Sequence, residues 1–119
     1  MYGNGDNNNR NILCTASQSK TISLYDLREQ NNKLILTKVA HNGEIYALDF
    51  NKYAQNLLLS GGEDGDVYLW DVRNMSKKFS SFVGHNDAIT SLQWSPFNPT
   101  RFLSSSADRK VVVWDINQV

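Results

Sequence analysis

Ser60-Gly61-Gly62-Glu63-Asp64-Gly65-Asp66-Val67-Tyr68-Leu69-Trp70-Asp71 has a counterpart 44 residues downstream, Ser104-Ser105-Ser106-Ala107-Asp108-Arg109-Lys110-Val111-Val112-Val113-Trp114-Asp115. Each copy runs from a serine through a polar turn containing aspartate to an apolar run closed by Trp-Asp. Tyr25-Asp26 stands 45 residues before Trp70-Asp71, and Ala40-His41 precedes Gly84-His85 by 44. Several features keeping one beat mean that a single supersecondary unit is used repeatedly.

Between these markers lie short runs rich in β-branched and aromatic residues: Ile45 to Asn51, Leu57 to Gly61, Val67 to Val72 and Phe79 to Val83. The next unit repeats them as Ile89 to Ser95, Arg101 to Ser105 and Val111 to Ile116. Turn signals separate them, among them Glu63-Asp64-Gly65-Asp66, Ser95-Pro96-Phe97-Asn98-Pro99 and Ala107-Asp108-Arg109-Lys110. Strands of this length and spacing, with no run of helical period, predict an all-β chain.

The pattern resembles the WD-repeat (WD40) family: a Gly-His pair, an Ile or Val four residues after the His, a Ser-x-Ser-x-Asp turn and a closing Trp-Asp. The second and third units match closely; the first has Ser19 at the turn Asp and Tyr25 in place of Trp. The resemblance covers about residues 11–116 and implies blades of a β-propeller. Residues 11–39 then supply the second to fourth strands of one blade, 40–83 a complete blade, and 84–119 a blade that stops after its third strand. The Gly- and Asn-rich segment 1–10 is expected to be disordered or a surface loop. About three blades cannot close a ring of four to eight, so the chain is expected to be part of a longer propeller or to assemble with copies of itself.

Twelve Lys and Arg balance twelve Asp and Glu, so no net field draws the chain onto nucleic acid or an anionic membrane. A single cysteine, Cys14, excludes an internal disulfide framework and reads as a small core residue. No apolar run is long enough to span a bilayer, and residues 1–10 are not signal-like. The expectation is an intracellular chain with protein partners.

His41, Ser60, Asp64 and Trp70, and likewise His85, Ser104, Asp108 and Trp114, invite a catalytic reading. The same set recurs once per blade, however, whereas a triad is one convergent constellation in a cleft. The family resemblance implies a hydrogen-bonded network inside each blade instead. No cofactor motif or nucleophile-base pair stands apart from it, so no enzyme activity and no cofactor are expected. Two histidines one repeat apart, with no Cys or carboxylate cluster at zinc spacing, predict no metal site. Glu63-Asp64-Gly65-Asp66 lacks the alternating ligands and terminal Glu of a calcium loop. Lys77-Lys78 and Arg109-Lys110 read as solvated turn residues, and Phe50 and Trp94 as packing anchors between blades.

Finer likeness bears on function. Ala40-His41 through Asp71-Val72-Arg73-Asn74, then Ser81-Phe82, His85, Asp87, Ile89 and Gln93-Trp94-Ser95-Pro96, resemble the retinoblastoma-binding, chromatin-assembly-factor small-subunit family of seven-bladed histone chaperones. That resemblance implies core histones and chromatin-complex subunits as partners, and a home in the nucleus and also the cytoplasm. On the WD-repeat pattern, partner-contacting side chains fall at Glu44, Tyr46 and Glu63 in the middle unit and at Ala88, Thr90 and Ala107 in the last. Glu44 and Glu63 suit a Lys or Arg side chain, with Tyr46 offering aromatic area. Ala88 departs from the acidic residue usual in the chaperones. The paired boxes Asp26-Leu27-Arg28 and Asp71-Val72-Arg73 also resemble those of substrate receptors of cullin-based ubiquitin ligases, with Arg28 and Arg73 as adaptor contacts.

Overall fold

The computed structural model describes residues 2–7, 10–16, 20–27 and 33–117. Eleven strands are distributed over three antiparallel sheets, and no helix occurs among the described residues. Blade 1 comprises β1 (Tyr2–Asn7), β2 (Arg10–Ala16), β3 (Thr21–Asp26) and β4 (Lys33–Val39). Blade 2 comprises β5 (Ile45–Phe50), β6 (Leu57–Gly62), β7 (Val67–Asp71) and the short β8 (Ser80–Phe82). Blade 3 has three strands, β9 (Ile89–Trp94), β10 (Arg101–Ser106) and β11 (Val111–Asp115). Each sheet is an up-and-down meander in chain order. The first strands lie side by side, with β5 packed between β1 and β9, as in blades set around an axis.

The expectation of a disordered or loop segment is corrected here for Tyr2–Asn7 and Arg10; residues 1, 8 and 9 lie outside the described residues. Tyr2–Asn7 forms β1 and pairs along its whole length with β2, from Tyr2 opposite Thr15 to Asn7 opposite Arg10. Blade 1 is therefore four-stranded, not three-stranded. A ladder draws on backbone N–H and C=O groups, which every residue but proline supplies. A proline-free stretch without an apolar pattern can pair although it gives no strand signal.

The core lies between blades. In β7 the four residues Val67-Tyr68-Leu69-Trp70 are all buried, because both faces of the sheet are covered; burial then replaces alternation. Val67 and Leu69, with Leu59 from β6, pack on Ile89, Leu92, Trp94 and Phe102 of blade 3. Tyr68 and Trp70 point the other way, into a cluster with Phe50 and Leu58 that receives Cys14, Ile22 and Leu24 of blade 1. Full burial of each such aliphatic or aromatic side chain is worth roughly 1.5–3 kcal/mol. Phe50 and Trp94 thus sit at successive blade interfaces. Trp94 meets Phe102 edge to face, centroids 5.5 Å apart.

Hydrogen bonds clamp the seam between blades 2 and 3. The Trp94 backbone N–H donates to Asp49 Oδ2 at 2.8 Å, and its indole N–H to the Asp49 carbonyl at 3.1 Å. Asn51 Nδ2 donates to the Pro99 carbonyl at 2.8 Å, and the Tyr53 hydroxyl donates to the Pro96 carbonyl.

Candidate functional site

Within blade 2, two groups of fixed character bound a chain of hydrogen bonds. The indole N–H of Trp70 can only donate, and the carboxylate of Asp64 can only accept. Trp70 Nε1 donates to Ser60 Oγ at 2.8 Å; Ser60 Oγ lies 2.7 Å from His41 Nε2; His41 Nδ1 lies 2.8 Å from Asp64 Oδ2. The assignment that satisfies every atom is Trp70 N–H to Ser60, Ser60 O–H to His41 Nε2, and His41 Nδ1–H to Asp64, with a neutral imidazole. Burial depresses the His41 pKa below its ordinary value, against the opposing pull of Asp64. The ring also stacks on Tyr68 at 4.3 Å, while Lys78 Nζ sits over Tyr68, 4.1 Å from its centroid.

Blade 3 repeats the chain with Trp114 to Ser104 at 2.8 Å, Ser104 to His85 at 2.7 Å and His85 Nδ1 to Asp108 Oδ2 at 3.1 Å. Burial works to raise the Asp108 pKa but is outweighed by the N–H groups of Asn86 and Lys110 and by the His85 ring, so the carboxyl falls to about 2. In both blades the serine is fully buried and its oxygen is committed to an indole. A substrate cannot reach it, so the geometry is that of a brace between the strand before the turn, the turn, and the strand after it. Among the described residues no group of three or more His, Cys, Asp or Glu is placed to hold a metal ion.

The exposed positions predicted to meet partners arise from a β-bulge. In β5, Ile45 pairs with Gly62 and Ala47 with Gly61, leaving Tyr46 as the extra residue; in β9, Thr90 is skipped between Ile89 opposite Ser106 and Ser91 opposite Ser105. A bulge re-aims the side chain it adds. A Cβ at position 62 would run into the Glu44 carbonyl, which accounts for glycine there. The Tyr46 hydroxyl lies 3.5 Å from Glu63 Oε2, and Glu63 N–H donates to the Glu44 carbonyl at 2.8 Å, so Glu44, Tyr46 and Glu63 form one patch. Partial desolvation, then the charges of Glu44 and Glu63, raise the Tyr46 pKa and keep its hydroxyl a donor. Thr90 stands at the matching bulge of β9, its hydroxyl 3.0 Å from Ser105 Oγ. Ala107 N–H donates to the Ala88 carbonyl at 2.9 Å, the same backbone link without the acids.

Arg73 folds back on its own box: Nε and Nη2 donate to the two Asp71 oxygens at 3.1 and 2.8 Å. That fork, chiefly, holds the Asp71 carboxyl down at about 2. Arg28 lies outside the described residues. In the third unit, where Asn117 replaces the arginine, Asp115 takes a contact from Arg101 Nε at 3.4 Å, its ladder partner on β10. Reasoning from the sequence missed this substitute donor; its signal was the 44-residue offset applied to every position rather than to the motif positions alone, which sets Arg101 where Leu57 faces Asp71.

Comparison with known proteins agrees with this architecture. Over 80 residues, 65% of the chain, it is 38% identical to restriction of telomere capping protein 1 of Saccharomyces cerevisiae. It is 33% identical over 79 residues (63% of the chain) to protein transport protein Sec31B of Mus musculus, and 37% identical over 76 residues (64%) to WD repeat-containing protein 91 of Xenopus tropicalis. The matched region spans 6%, 7% and 10% of those proteins, respectively. These likenesses support WD-repeat propeller blades rather than the histone-chaperone family in particular. The match that covers nearly the whole chain, residues 3–114, is to the EIPR1 beta-propeller; with the blade order, the bulges and the buried networks, it makes this chain a member of the EIPR1 beta-propeller family.

Proposed function

We infer that the chain is a non-catalytic protein-interaction scaffold whose bulge-borne patch, Glu44, Tyr46 and Glu63, holds a basic segment of a partner. The observation that carries this is the juxtaposition at the β5 bulge: two carboxylates flank a half-exposed phenol whose hydroxyl already faces one of them. A Lys or Arg side chain set between them gains charge-assisted hydrogen bonds and an aromatic face. The networks leave the patch free to vary, because they carry the fold. The relatives, whose names speak of telomere capping and of protein transport, support a scaffold role rather than any one partner.

A core-histone tail is the partner that the chaperone resemblance puts forward, in the nucleus and cytoplasm. Pull-downs with biotinylated histone-tail peptides test it: Glu44→Ala with Glu63→Ala is expected to weaken capture about tenfold or more. Unchanged capture would remove the patch from the function, and no capture by the unaltered chain would remove histones.

A second reading rests on Arg73, which the Asp71 fork holds rigidly at the surface. A ligase adaptor that recognises this guanidinium is the alternative partner. Its capture should fall with Arg73→Ala and survive the Glu44 and Glu63 substitutions.

A further inference from the structure

Gly43 and Glu63 meet where the loop entering β5 crosses the turn after β6, the glycine buried and the glutamate exposed. A Cβ on Gly43 would stand 2.8 Å from Glu63 Cβ, 2.9 Å from its Oε1 and 3.3 Å from its Cδ. All three lie inside the roughly 3.5–4.0 Å at which carbon pairs attract best, so the Glu63 side chain lies folded along the bare Cα of the glycine. Its backbone is tied down, for Glu63 N–H donates to the Glu44 carbonyl at 2.8 Å. The second carboxylate oxygen, Oε2, faces the Tyr46 hydroxyl at 3.5 Å. The glycine on one side and the phenol on the other thus define where this carboxylate sits. Blade 3 makes the same crossing with different residues. At the 44-residue offset Asp87 stands for Gly43 and Ala107 for Glu63, and the backbone link is kept, from Ala107 N–H to the Ala88 carbonyl at 2.9 Å. The crossing therefore accepts a side chain on both partners. The acid has changed sides, however: Asp87 Oδ1 accepts the Ala88 N–H at 2.7 Å, and the bulge residue Thr90 meets the Ser105 hydroxyl instead of a carboxylate.

We propose that Gly43 is a positioning residue of the bulge patch: having no side chain, it seats the Glu63 carboxylate beside Tyr46, where the two together take one arginine or lysine of a partner segment. This rests on the patch being the binding site. A Cβ at position 43 would occupy the space that Glu63 Cδ and Oε1 now fill and push the Glu63 Cβ outward, so the carboxylate would swing into solvent, away from the phenol. The number of charges would not change, but they would no longer act on one cation from fixed places. An ion pair between freely moving exposed groups is worth little, whereas a carboxylate held in place beforehand gives a charge-assisted hydrogen bond without the cost of ordering it. The bulge of blade 2, not its counterpart in blade 3, is the one built this way.

Two measurements on the 119-residue chain test this, and the first needs no partner. Partial desolvation, then the charges of Glu44 and Glu63, raise the Tyr46 pKa, so the carbon-13 NMR titration of the Tyr46 ring, assigned with Tyr46→Phe, reports how near the Glu63 carboxylate lies. Gly43→Ala is expected to lower that titration, Glu63→Gln to lower it too, and Gly43→Ala to add nothing once residue 63 is glutamine. The second measurement is capture of the histone-tail peptides. Gly43→Ala is expected to weaken it about fivefold or more, although Glu44 and Glu63 are both still present. Gly43→Asp with Glu63→Ala reproduces the Asp87 and Ala107 pair of blade 3 and keeps the net charge; it should weaken capture to the same degree. Circular dichroism checks that each variant keeps its strand signal, and the exchanged pair, which blade 3 already accommodates, serves where Gly43→Ala does not fold. A Tyr46 titration unmoved by Gly43→Ala, a shift that persists in the Glu63→Gln background, or undiminished capture by the exchanged pair overturns the proposal. Capture that survives Glu44→Ala with Glu63→Ala overturns the patch itself, and is told apart because the Tyr46 titration then still responds to Gly43→Ala.

Discussion

Ser60 shows how much one buried hydroxyl can organise. Its oxygen accepts the Trp70 indole N–H and its proton serves His41, so Ser60→Ala orphans two buried groups at once and is expected to cost about 2–4 kcal/mol in urea unfolding. Ser104→Ala should cost less, because Trp114 is only half-buried and water can replace the lost partner. The ionisable members of the core set a pH window. His41 is depressed below its ordinary 6.5, so the unfolded chain takes up the proton first, and stability present above pH 6.5 falls as pH drops below it. Asp71 and Asp108, both at about 2 against an ordinary 3.8, add a further loss as pH falls below 3.8. Burial lifts Cys14 from 9 to about 12; there the unfolded chain releases its proton first, and stability falls as pH rises above 9. Thermal melts followed by circular dichroism should therefore be flat between pH 6.5 and 9 and decline on both sides. The members of the two networks were legible in the sequence because they recur at fixed spacing. The Lys78–Tyr68–His41 stack was not, since nothing in local spacing places β7 beside residue 41.

Between the second and third strands of each blade, the described residues include one with left-handed backbone geometry: Lys20 at φ 70°, Gly65 at φ 82° and Arg109 at φ 70°. Only the glycine adopts it without strain; an L side chain there costs roughly 1 kcal/mol. Arg109→Gly, at an exposed position, should stabilise the chain by about that amount in urea unfolding, whereas Gly65→Ala should destabilise it, both from the dihedral angle and because the new Cβ meets the Asp87 carbonyl at 3.0 Å. Strand positions could be read from apolar runs and turn residues because both leave local marks. β1 could not: its ladder to β2 rests on backbone groups common to nearly all residues. Tyr46 was singled out only through family likeness; that it is the extra residue of a bulge depends on how Ile45 and Ala47 take Gly62 and Gly61 across the sheet.

Across the whole molecule, identical chemistry acquires different value from its neighbours. Leu59 and Leu103 occupy the same phase of successive blades, one fully buried and the other 40% exposed. Leu59→Ala is expected to cost about 2–5 kcal/mol, and Leu103→Ala less than about 1 kcal/mol when unfolding is measured on samples dilute enough to hold single copies. Equal costs would mean that the blade 3 face is covered within one chain. The sequence displayed the period and hence the sheets, but not how deeply each repeated phase is buried, because that depends on what lies beside a blade in space. The two unlike faces of this chain also give it a direction. When unlike faces meet at a rotation that does not return to its start, the result is an open helical filament rather than a ring. At high concentration, contact between the exposed Leu103, Val111 and Val113 of one copy and the opposite face of another is therefore expected to propagate in one dimension, visible as turbidity and fibres without any unfolding, and Val113→Asp is expected to suppress it.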